Sequence, residues 1–158
     1  MRTFVADISE TLLKLTDRLD WLAPLAMRLG FGYFWLETGW AKLHNLDGFT
    51  ERFVSWGLPF PAFSAGLSAW TEFLGGGLIM LGLLTRLVSI PMLINMVVAI
   101  AFVVIKDVTD VDSFFELDEV IYILIFGWLI MAGPGEVSVD TLISKWLGLD
   151  DRRAARTP

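Results

Sequence analysis

Residues 87–105 run for nineteen positions without a charged side chain, and only Ser89 and Asn95 among them are polar. As a helix this stretch would be about 28 Å long at 1.5 Å per residue, close to the ~30 Å hydrocarbon core of a bilayer. A core helix of a soluble bundle keeps a polar face along its length, and this one has none. The stretch therefore predicts a membrane span. Composition supports that choice: 55% of residues are hydrophobic and 19% charged, against about 25% charged in a typical soluble domain. A soluble domain of this size could not bury so much apolar surface, since about a third of its chain surface stays exposed.

Three further hydrophobic segments have the same character. Residues 21–43 are interrupted by Arg28, Glu37 and Lys42, and residues 63–84 carry Glu72 near their middle. Residues 120–135 are uncharged but short, and reach spanning length only if Asp118 and Glu119 enter the membrane edge. The expected class is all-α, an integral membrane four-helix bundle with amphipathic interfacial helices at both ends. Residues 1–20 form a cytoplasmic-side arm, 21–135 the four-helix domain and 136–158 the tail. The arm has an apolar stripe of Phe4, Val5, Ile8, Leu12, Leu15 and Leu19, and the tail one of Leu142, Ile143, Trp146 and Leu147. Mixed charges in the first twenty residues argue against a signal peptide.

The linkers follow. Thr85-Arg86 is expected as a tight turn, 106–119 as a solvated acidic loop, and 44–62 as a short interfacial helix carrying Phe49, Phe53 and Trp56, followed by an extended stretch. Eight Lys and Arg (Arg2, Lys14, Arg18, Arg86, Lys145, Arg152, Arg153, Arg156) fall on one side of the membrane, and Lys42, Arg52 and Lys106 on the other. Both termini are therefore expected in the cytoplasm of a cell with a bacterial-type inner membrane.

A charge near the bilayer centre costs at least ~2.5–3.5 kcal/mol and usually faces the bundle interior. On a helical wheel Arg28, Gly32, Trp35, Gly39 and Lys42 share one face of the first segment. Ala65, Ser68, Glu72, Gly75, Gly76 and Ile79 share one face of the second. Depth matching predicts an Arg28–Glu72 pair, and a structural ion pair of Lys42 with Asp118 or Glu119. Asn95 should point inward at mid-span, and Pro91 one turn earlier frees a carbonyl. Glu37 falls on the opposite face of its helix, toward another helix, a second subunit or the outer surface. His44, and Trp21, Trp40 and Trp56, read as interfacial residues.

Several function classes drop out. The chain has no cysteine and one histidine, so thiolate metal sites, iron–sulfur clusters, thioether-linked haem and bis-histidine haem are excluded. The acid cluster Asp107, Asp110, Asp112 and Glu116 lacks the spacing of a hard-cation loop, and no metal site is expected. A net charge of −6 excludes nucleic acid as a partner.

The runs Arg28-Leu29-Gly30-Phe31-Gly32, Gly39-Trp40-Ala41-Lys42-Leu43, Gly57-Leu58-Pro59, Glu72-Phe73-Leu74-Gly75-Gly76-Gly77 and Leu81-Gly82-Leu83-Leu84-Thr85-Arg86 resemble the DoxX family of small bacterial membrane proteins. Gly133-Pro134-Gly135 with Ser138 and Asp140 fits as well, so the likeness covers residues 21–141. The resemblance implies a four-helix membrane bundle. Some relatives are linked to oxidoreductase assemblies: one branch looks like the membrane subunit of a thiosulfate:quinone oxidoreductase, and another relative is associated with a superoxide dismutase and a sulfurtransferase.

The first functional reading is thus a membrane subunit of an oxidoreductase assembly with a pocket for quinone or another small apolar ligand. Arg28, Trp35, Glu72 and Asn95 would line it. Glu72 is the candidate for proton transfer, and no covalent cofactor is expected, so electrons would come from a soluble partner or a bound substrate. A second reading is a carrier or binding protein for a small solute or lipid, working as a homodimer. A third is a non-catalytic scaffold for soluble partners.

Overall fold

The computed structural model describes residues 10, 13, 16 and 18–148. Most of the expected N-terminal arm and the end of the C-terminal tail lie outside them. The described residues form an all-helical structure. Its helices are α1 (Leu22–His44), α2 (Leu46–Trp56), α3 (Pro61–Leu81), α4 (Thr85–Phe102), α5 (Val111–Phe115), α6 (Asp118–Ala132) and α7 (Val139–Trp146), with a 3-10 turn at Val104–Asp107. Among the described residues, α4 alone is both long and apolar enough to cross a membrane by length and composition. Helices α1 and α3 are longer but carry interior charges, and α6 has 15 residues.

The buried face of α3 is Ala65, Ser68, Ala69, Glu72, Gly75, Gly76 and Ile79, the stripe expected from its periodicity with Ala69 added. That of α1 is Arg28, Gly32, Trp35 and Gly39. The two faces meet through glycine. A Cβ added at Gly76 would lie 2.6 Å from the Gly32 carbonyl oxygen, and one at Gly39 would lie 2.6 Å from the Phe73 Cα. Absent side chains let the two backbones touch. Trp35, Ile79, Met92, Met96, Phe126 and Leu129 fill the bundle core. Around this core, large apolar side chains on all four long helices remain exposed, including Leu29, Leu74, Ile94 and Leu124.

Helix α2 folds back on the bundle. Asn45 caps it by accepting from Gly48 N–H at 3.3 Å. Gly57, at φ 76°, ends it with paired 5→2 and 6→1 backbone bonds. Phe49 and Phe53 bury against Leu58, Ala65 and Ala69. In the loop before α6, Asp110 accepts from the Ser113 N–H at 2.8 Å, which holds its carboxyl below the usual range.

The turn between α3 and α4 lies at Gly82–Leu84, three residues earlier than expected, and Thr85 and Arg86 belong to the first turn of α4. Gly82 takes φ 66° and Leu84 φ 50°. Asp140, at the start of α7, then caps α4: its carboxylate accepts from Leu84 N–H at 2.7 Å and Thr85 N–H at 3.1 Å. Its own N–H donates to the Gly82 carbonyl at 2.9 Å. Asp140→Ala should lower stability by about 1–2 kcal/mol, the range for a lost N-cap. Asp140→Asn, which keeps one acceptor, should lose less. Denaturant titration in detergent checks this, and equal loss in both variants would show that the cap is unimportant.

Candidate functional site

Arg28 is 1% exposed, yet it does not meet Glu72. Its guanidinium donates to the carbonyls of Ile79 at 3.4 Å and Met80 at 3.3 Å, and to that of Val137. The register explains the correction. Gly32 against Gly76 sets Arg28 opposite residue 80, and Glu72 lies eight residues farther along α3, about 12 Å away. The Ile79 carbonyl already accepts from Gly82 N–H at 3.0 Å, and Arg28 adds a cation at the C-terminus of α3, where the helix dipole favours one. Arg86 does the same for α6, donating to the Ala132 carbonyl at 3.3 Å. Arg28 fastens the end of α3 to the loop before α7, Arg86 ties the start of α4 to the end of α6, and Arg28 is absent from the cavity described next.

Glu72 is also 1% exposed. Its partner is Lys42, whose ammonium donates to both carboxylate oxygens at 2.6 Å. Asn95 Nδ2 donates to Oε1 at 3.0 Å, and Ser68 Oγ donates to the same oxygen at 3.4 Å. Every neighbour is a donor, the set an acceptor-only carboxylate takes. The Lys42 ammonium also sits 5.0 Å from the Phe49 ring centroid, where the ring face attracts a cation. Lys42 therefore does not pair with Asp118 or Glu119. Asp118 is exposed, and Glu119 stands on the far wall of the same cavity.

That cavity holds about 250 Å³. Lys42, Ser68, Glu72 and Asn95 form its polar side, and Phe34, Trp35, Phe49, Phe53, Trp56 and Tyr122 its aromatic walls. Trp35 is 3% exposed, packs edge-on against Tyr122 with centroids 5.2 Å apart, and has an indole N–H with no acceptor. Lys42 spends two of its three N–H donors on Glu72. Asn95 has a second amide proton. The site can thus hold a small, flat, largely apolar molecule by its faces and offer donors to its oxygens.

Of the four residues expected to bind ligand, the structure brings Trp35, Glu72 and Asn95 together and sets Arg28 apart. Lys42 takes the place assigned to Arg28. The aromatic contributors other than Trp35 escaped the sequence reading. Tyr122 lies in an unbroken apolar run that gives no polar signal. Phe49 and Phe53 were legible as an apolar stripe, but not as a cavity wall. Trp56, expected at the interface, joins them. His44 is peripheral, its ring 4.0 Å from that of Trp40. Glu37 is exposed on the outer face beside Tyr33 and Trp40.

Comparison with known proteins places the chain in a family. The sequence profile of the DoxX family matches residues 23–105, just over half of the chain and all of α3 and α4. The chain is 31% identical over 132 residues to a Mycobacterium tuberculosis (strain ATCC 25618 / H37Rv) protein named Uncharacterized membrane protein Rv3486, covering 77% of this chain and 81% of that one. No solved structure matches. With the glycine-mediated contact of α1 and α3 and the buried Lys42–Glu72 pair both inside the matched segment, this chain is a membrane protein of the DoxX family.

Proposed function

We propose that this protein crosses the inner membrane four times, through α1, α3, α4 and α6, and binds a quinone-like ligand in the Lys42–Glu72 cavity as the membrane subunit of an oxidoreductase assembly. The single observation that carries the reading is a fully partnered carboxylate on the wall of an aromatic cavity with donors to spare. An ion pair needed only to fix helix register gains nothing from 250 Å³ of adjoining space, because unfilled volume costs stability.

The topology has its own support. The charges that interrupt α1 and α3 are mostly turned inward, with Arg28 and Glu72 at 1% exposure, so what faces outward is predominantly apolar. Leu142 and Trp146 of α7 project from the bundle at 67% and 85% exposure, as an interfacial helix requires. The excess of Lys and Arg in the terminal segments and at Arg86 of the sequence supports a cytoplasmic α7 side. The cavity then opens in the outer half of the bundle. With no cysteine and a single histidine in the chain, a redox partner supplies the electrons and this subunit supplies the binding site.

The test is a titration of the protein in nanodiscs with a short-chain benzoquinone, read by quenching of tryptophan fluorescence. Wild type should bind saturably. The charge-neutral double variant Lys42→Met/Glu72→Gln should bind about tenfold more weakly or worse, equivalent to about 1.4 kcal/mol. Unchanged affinity in that variant, or no saturable binding by wild type, would overturn the proposal.

A further inference from the structure

Asn95 borders a second space as well as the cavity. A groove of about 460 Å³ runs between α3 and α4. It shares Phe53, Leu58, Ser68, Asn95 and Val98 with the cavity wall, so the two spaces adjoin across those side chains. Helices α3 and α4 supply its two banks. Near the turn they are in contact, and a Cβ on Gly75 would lie 2.6 Å from Met92 Sδ. Leu67 and Thr71 of α3 stand on one bank and Pro91, Ile94 and Phe102 of α4 on the other. Leu67 and Ile94 are 57% and 54% exposed, so the groove is open along its length to the surface that faces lipid.

Polarity changes from one space to the other. Every charged group lies at the cavity end, and the groove past Asn95 is bordered chiefly by aliphatic and aromatic carbon. A compact solute arriving from water has no use for a lateral apolar channel. A molecule with a hydrogen-bonding ring and a long hydrocarbon tail needs one, because its tail must reach the bilayer while the ring is held inside. We infer that the ligand is such an amphiphile, with its ring beside Lys42 and Glu72 and its tail in the α3–α4 groove. This rests on the cavity being a ligand site.

Two variants fill the groove without touching the cavity lining, Thr71→Phe and Ile94→Trp, and neither position is buried. Each is titrated in identical nanodiscs with two benzoquinones that differ only in bearing an isoprenoid tail or a methyl group. Using one bilayer for all proteins cancels membrane partitioning of the tail. The tailed ligand should bind each variant at least about tenfold more weakly than wild type, a factor that loss of contact with a few methylene groups supplies, while the tailless ligand is unaffected. Equal weakening of both ligands, or of neither, overturns the inference and leaves the cavity reading intact. A changed oligomeric state in either variant would assign the groove to a second copy of the chain and also overturn it. Failure of both ligands to bind wild type removes the ligand site, and the tail groove with it.

Discussion

Lys42→Met is expected to destabilise the protein by about 3 kcal/mol, the lower end of the range for breaking a buried pair. The lower end applies because the Lys42 side chain is 30% exposed while Glu72 is 1% exposed. Removing the ammonium deletes both 2.6 Å contacts and leaves the carboxylate with Asn95 and Ser68. Two neutral donors do not offset the desolvation of a buried charge. Adding Glu72→Gln should restore most of the loss, since the amide carries no charge and its oxygen still accepts from Asn95 and Ser68. The coupling between the two sites is read from a double-mutant cycle of unfolding in mixed detergent micelles. Additive losses would mean that the two side chains do not meet in the folded protein, and the proposed site would lose its centre.

Gly76→Ala should cost about 3 kcal/mol or more, at or beyond the top of the usual overpacking range. The new methyl would lie 2.6 Å from the Gly32 carbonyl oxygen. The obstacle is backbone, with no flexible side chain to swing aside, so α1 and α3 must separate. Their separation draws Lys42 away from Glu72, and ligand affinity should fall along with stability. Gly30→Ala provides the opposite sign. Gly30 lies in the same helix with nothing within 4 Å of an added Cβ, so alanine should stabilise by about 0.5–1 kcal/mol through helix propensity alone. Thermal unfolding of the two variants side by side distinguishes contact from propensity. If both shift in the same direction, the close approach of α1 and α3 at Gly76 is wrong.

Much of this architecture was legible in the residues. The inward stripes of α1 and α3 follow from 100° of rotation per residue, a property each helix carries by itself. The short helix at Leu46–Trp56 announced itself by Phe49 and Phe53 at helical spacing and by Gly57 at its end. The turn at Gly82–Leu84 was displaced from its expected position because its boundary depends on Asp140, 56 residues downstream of Leu84, which caps the next helix from outside the local sequence.

The partner of Glu72 was the larger error, and it has a simple cause. A wheel assigns each side chain an azimuth around its own helix. It says nothing about how far one helix slides along another. That offset is decided where Gly32 meets Gly76 and Gly39 meets Phe73, contacts between residues more than thirty positions apart. They carry Lys42 to Glu72 and leave Arg28 at the helix end, among carbonyls that any buried terminus must satisfy. The cavity and its groove depend on the same kind of information: where α2 folds back and how α4 packs beside α3. Rotation about a helix axis is a local property of the chain, whereas translation along it is a property of the assembled bundle.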